Sequence, residues 1–88
     1  MAWTLEYDPR VEKDLTAVDR AMQRELLDYM NRRIATNEDP RRFGKALRYE
    51  RHGLWRYRVR DYRVICEIRE ETSVVLVLTI KHRSVAYD

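Results

Sequence analysis

The 88-residue sequence predicts a single α+β domain over residues 1–88, with an N-terminal helical hairpin packed on a small, mostly antiparallel four-stranded sheet. The expected order is β-α-α-β-β-β. Three observations predict it. Apolar residues recur at helical spacing in the first half, alternate with charged ones between 54 and 70, and run unbroken from Val74 to Leu78. A hydrophobic content of 44% with only two Gly and two Pro belongs to a folded chain, and the length lies near the lower limit for a self-sufficient core.

The elements follow in order. Trp3 to Tyr7 reads as a short first strand. Asp8-Pro9 supplies an N-cap and a Pro at the first helical position, and Val11, Leu15 and Val18 carry an amphipathic helix to about Val18. Asp19 caps a second helix whose apolar face is Met22, Leu26, Tyr29, Met30 and Ile34, and the NEDP stretch at 37–40 stops it. Leu54 to Val59 alternates Trp55, Tyr57 and Val59 with Arg56, Arg58 and Arg60. Asp61 makes a tight turn. Tyr62 to Glu70 then sets Val64, Cys66 and Ile68 against Arg63, Ile65 and Glu67, and Ser73 to Lys81 has the doubly apolar pattern of a central strand.

Side-chain alternation turns this pattern into a surface. With Trp55, Val64 and Leu76 toward the helices, Arg56, Arg58 and Arg63 share the open face. Counting along the last strand puts Val74, Leu76, Leu78 and Ile80 inward, and Val75, Val77, Thr79, Lys81 and Arg83 outward. The charge distribution agrees. Residues 1–40 hold six Lys/Arg against nine Asp/Glu, a balance of −3, whereas residues 41–88 hold twelve against six, a balance of +6. A basic half is the electrostatic footprint of a polyanion partner, although an ordinary Arg-rich surface has the same balance.

Several classes are disfavoured. The single Cys66 forms no internal disulfide, and no CxxC or Cys/His cluster has zinc spacing. The opening MAWTLEYDPR lacks the basic and apolar regions of a secretory signal, and no apolar run is long enough to span a bilayer. The expectation is a cytoplasmic protein without metal, cofactor or membrane attachment.

Guanidinium groups interleaved with Tyr62 and Tyr87 suit RNA, because arginine grips phosphates through paired donors and aromatic rings stack on unpaired bases. Cleaving RNA by 2′-hydroxyl attack also needs a base, an acid, and positive charge at the phosphorus centre. Arg63 and Arg83 can supply the charge. Tyr87 can exchange the proton where nearby cations favour its phenolate, and His82 is the conventional acid/base residue beside them.

The run GLWRYRVRDYRVICEI at 53–68, followed by VVLVLTIKHRSVAY at 74–87, resembles the RelE branch of the RelE/ParE toxin superfamily. The lengths and order of the preceding helical hairpin match too, so the resemblance covers nearly the whole chain. It implies the toxin of a type II toxin–antitoxin pair, an mRNA endoribonuclease (interferase) that cuts in the ribosomal A site without a metal. Its expected partners are mRNA, the 70S ribosome and a cognate acidic antitoxin that folds on binding. By the same resemblance Arg63 stabilises the transition state, Arg83 lies at the leaving group or scissile phosphate, and Tyr87 stacks and takes part in proton transfer. Arg56, Arg58, Lys81 and His82 are expected to bind RNA phosphates. Arg56 and Arg58 stand where some members carry lysines, and arginine cannot give up its proton, so a base role at that pair would pass to Tyr87 or His82. Arg60 and Lys81 stand where glycine is common in the family. The alternatives are a ParE-like gyrase poison and a relative that binds RNA or antitoxin without catalysis.

Overall fold

A computed structural model of the chain describes residues 2–47 and 54–85. Strand β1 (Thr4–Tyr7) leads into helix α1 (Pro9–Thr16), then helix α2 (Arg20–Tyr29), strand β2 (Gly44–Ala46), and strands β3 (Leu54–Val59), β4 (Tyr62–Arg69) and β5 (Val74–His82). The sheet has five strands in the order β1-β5-β4-β3-β2, with β1 parallel to β5 and the other pairs antiparallel.

Both helices start where their caps require. Asp8 accepts from the Arg10 amide and Asp19 from the Met22 amide, each at 2.9 Å, so each caps one amide that the helix cannot bond itself. Helix α1 ends at Thr16, two residues short of the expected Val18. Gln23 bridges the gap, donating to the carbonyls of Leu15 and Val18. Helix α2 passes into a π-helical turn over Met30–Ile34, which keeps Leu26, Met30 and Ile34 directed into the core. Asp39 then caps a short 3-10 turn, Pro40–Phe43, that delivers the chain to β2.

The fifth strand, β2, corrects the four-strand expectation. Its Gly-Lys-Ala sequence has no apolar alternation, and it pairs because Gly44 lies directly opposite Tyr57. A Cβ at residue 44 would sit 2.9 Å from Tyr57 Cε1, so only glycine admits the ring. The same ring is anchored by its hydroxyl, which donates to the Pro40 carbonyl at 2.6 Å.

The core lies between the helices and one sheet face: Val11, Leu26, Met30 and Ile34 meet Tyr57, Val64, Cys66, Val75, Val77 and Ile80. Val75 and Val77 thus point inward, and Leu76 and Leu78 do not join this cluster, contrary to the alternation count. A β-bulge is the reason. Ile65 faces Thr79 while Cys66 faces Val77, so Leu78 is an extra residue in β5. The bulge reverses the parity, and two errors cancel: Ile80 is buried, and Lys81 lies opposite Arg63, as expected.

Candidate nucleic-acid interface

The face away from the helices carries a row of cations across three strands. Arg58 on β3 is opposite Arg63 on β4, which is opposite Lys81 on β5. The adjacent row places Lys45 opposite Arg56, followed by Ile65 and Thr79. Like charges directly opposite one another destabilise a sheet, so this row is a cost to folding that an anion would offset. Neither Arg58 nor Arg63 has an acidic partner among the described residues, whereas Lys81 Nζ lies 3.5 Å from Asp14 Oδ1.

The β3–β4 turn organises the two arginines expected to act on the phosphate. Arg63 is only 8% exposed, and its Nη1 donates to the carbonyls of Arg60 (3.2 Å) and Tyr62 (3.0 Å). Its Nε is buried without a hydrogen-bond partner among the described residues, a donor left to be satisfied. Between those two carbonyls lies Asp61, whose own carbonyl accepts from the Arg83 amide at 2.7 Å and whose carboxylate is 3.7 Å from Arg83 Nε. One three-residue turn thus holds the Arg63 guanidinium on one side and the start of the C-terminal segment on the other. Arg83 itself remains exposed.

Asp14 secures the approach to that segment. Strand β1 covers β5 only to Val77, leaving later β5 amides without a strand partner on that side. Asp14 Oδ2 accepts from Thr79 Oγ1 at 2.6 Å and from the Ile80 amide at 2.9 Å, replacing the missing strand at one point. Burial pushes this carboxyl up, but the bonds from Thr79 and Ile80 and the Lys81 ammonium outweigh it and hold the group below its ordinary range.

Other expected residues fall elsewhere. Arg60 leaves the basic row: it occupies the turn with φ 54° and pairs with Glu25 on α2. Tyr62 lies on the helix-facing side, two residues from buried Val64, and its ring meets His82 edge-on at 5.3 Å. His82 therefore sits on the helix side, where its Nδ1 meets the Ser84 amide at 3.2 Å and the Ser84 hydroxyl at 2.9 Å. Arg56 is 6% exposed, buried among its neighbours, while Arg58 is exposed. Tyr87 lies outside the described residues. Burial pushes the Cys66 thiol and the Tyr57 phenol up, so neither is a source of nucleophile or base.

Three residues near this surface were not singled out by sequence. Asp14 and Asp61 look like ordinary helix and turn carboxylates until the fold brings them to β5. Lys45 belongs to a strand too short to show a pattern.

The family model for the ParE toxin of type II toxin–antitoxin systems matches residues 5–87. No curated protein matches. Among solved structures, a chain of the RelBE2 toxin–antitoxin complex of Mycobacterium tuberculosis superposes with a TM-score of 0.84 at 24% identity, covering 96% of this chain and 94% of that one. A chain of the archaeal RelE–RelB complex of Pyrococcus horikoshii gives 0.74 at 27% identity, with 98% and 100% covered. The isolated RelE toxin of E. coli gives 0.61 at 17% identity, with 92% and 84% covered. With the family model spanning all but the first few residues, this chain belongs to the ParE toxin family of type II toxin–antitoxin systems, and within the RelE/ParE superfamily it falls in the RelE branch.

Proposed function

We propose that this toxin is an mRNA endoribonuclease that acts on the ribosome and inhibits translation. The observation that carries the reading is the arrangement around the β3–β4 turn: Arg63 held by the turn carbonyls, Arg83 held by Asp61, and Arg58 and Lys81 flanking Arg63 in register. In the proposed reaction the 2′-oxygen attacks the adjacent phosphorus and loses its proton to a base, and the bond to the 5′-oxygen breaks as that oxygen gains a proton. The products are a 2′,3′-cyclic phosphate and a 5′-hydroxyl. Arg63 and Arg83 stabilise the charge on the phosphorane oxygens. Tyr87 is assigned stacking and proton transfer. Arg56, Arg58 and Lys81 hold flanking phosphates. His82 lies on the opposite side of the sheet and does not join them.

A site of this kind has charge but few groups suited to proton transfer near neutrality, so it gains most when another body holds the strand in line. Such positioning is worth roughly 7–11 kcal/mol, and the ribosome would supply it. Antitoxin complexes of structural relatives support a cognate antitoxin for this chain as well. The ParE family match keeps a second reading, poisoning of DNA gyrase, in play. Mapping mRNA 5′ ends after incubation with translating ribosomes, in parallel with a gyrase-cleavage assay, separates the two. New 5′-hydroxyl ends within A-site codons support the endonuclease, and stabilised gyrase–DNA breaks without mRNA cleavage overturn it.

A further inference from the structure

A cleft of about 250 Å³ opens at the β2 edge of the sheet, lined by Arg42, Phe43, Gly44, Lys45, Arg56 and Arg58. Four of these six residues are cations and none is acidic. At the rim Glu38 pairs with Arg42. Lys45 and Arg58 have no acidic partner among the described residues. Phe43 forms an apolar wall, with the Arg42 guanidinium 4.8 Å and the Arg33 guanidinium 5.2 Å from its ring centre. These interactions hold the two arginines at the edge of the sheet. A cleft built this way selects an anion that also presents a flat apolar surface.

We infer that this cleft is a nucleotide subsite, binding a phosphate and its base in the RNA strand beside the bond that is cut. The inference rests on the endonuclease reading and extends it. Arg58 is the link, because it lines the cleft and also lies opposite Arg63. A strand anchored at Arg63 crosses Arg58 to enter the cleft without leaving the sheet face. With strands about 4.8 Å apart and a rise of about 3.4 Å per residue, Lys45 lies on the order of 12 Å from Arg63 along the sheet, about two nucleotide steps along an RNA strand and too far for the reacting atoms. Lys45 and Arg42 therefore take no part in the chemistry. They hold the strand, and Phe43 with Arg42 offers a base a stacking surface.

The test uses the full-length toxin and a fluorescent single-stranded RNA oligonucleotide that is 2′-O-methylated throughout, so that it binds without being cut. Anisotropy titrations across a salt series compare wild type with Arg42→Gln/Lys45→Gln, with Arg20→Gln on α2 as the control for removal of a surface charge. The expected result is a slope of log affinity against log salt that is shallower by about 1.4 in the double variant, about 0.7 for each phosphate no longer neutralised, and is much less changed in the control. Phe43→Leu should weaken binding about fivefold or more with the slope unchanged. An unchanged slope in the double variant overturns the subsite even when wild type cleaves mRNA on ribosomes. Weakened binding of a poly-glutamate peptide with RNA binding intact also overturns it and makes the cleft a protein-docking site. Variant-sensitive RNA binding without cleavage on ribosomes retains the subsite and removes the endonuclease reading. Absence of RNA binding in wild type removes the subsite outright.

Discussion

Arg63 is held through Nη1 by two backbone carbonyls, which fixes the plane of its guanidinium and makes its geometry as important as its charge. Lysine preserves the charge but not the planar fork. Arg63→Lys is expected to fold normally by circular dichroism and to lose about tenfold in cleavage rate, roughly one hydrogen bond to the transition state. Full activity would mean that charge alone suffices there. Tyr87 is tested in the same way at the level of single atoms. Tyr87→Phe keeps the ring and removes the proton, and Tyr87→Ala removes both. A large loss with Phe assigns proton transfer, while a loss confined to Ala, worth roughly 1–3 kcal/mol, assigns stacking. The shared face of Arg56, Arg58 and Arg63 was legible in the sequence because strand alternation sets it without any tertiary information, whereas Lys81 joins them only through the bulge and Arg83 lies in the turn after β5. Grouping Tyr62 with the cations followed residue type instead of alternation. Tyr62 shares parity with Val64, and its place on the helix side follows from the same rule that put Arg63 on the other.

At the scale of elements, the end of β5 depends on a helix where a strand is missing. Asp14, 13% exposed at its side chain, receives bonds from Thr79 and Ile80 and faces Lys81. Removing it as Asp14→Ala should cost about 2–3 kcal/mol in urea denaturation, because a backbone amide and a hydroxyl lose a charged acceptor. The pH dependence has a defined sign. The folded carboxyl titrates below its ordinary value, so its contribution is complete above the unfolded pKa and is lost as pH falls through the lower folded value. Asp14→Asn should therefore show a weaker acid limb than wild type, and identical acid limbs would contradict the assignment. The β2 edge rests on a different device. Gly44→Ala drives a methyl into the Tyr57 ring and should destabilise the fold by about 1–3 kcal/mol. A neutral result would mean that β2 shifts freely. Both helix starts were readable from Asp8-Pro9 and Asp19, because caps are local chemistry. The bulge at Leu78 and the three-residue β2 were not, since a bulge is set by two strands at once and β2 by a ring from another strand.

Over the whole molecule, the charge asymmetry becomes a division of labour. The acidic first half supplies helices whose carboxylates cap, brace and pair, as Asp8, Asp14, Asp19 and Glu25 do. The basic second half supplies the sheet face, with the Arg58–Arg63–Lys81 row and the cleft beside it. The helices bury one face of the sheet and leave the other to the cations, so that folding builds a surface whose own charges repel until an anion arrives. A phosphate ligand would answer the like-charge repulsion across the row. The most direct measurement is the cleavage of a defined mRNA on programmed ribosomes, with 5′ ends mapped for wild type, Arg63→Ala and Arg83→Ala. Wild type should cut within the A site, and each variant should lose on the order of 10²–10³ in rate with ribosome binding retained. Full-rate cleavage by both variants, or no cleavage by wild type, would contradict this expectation.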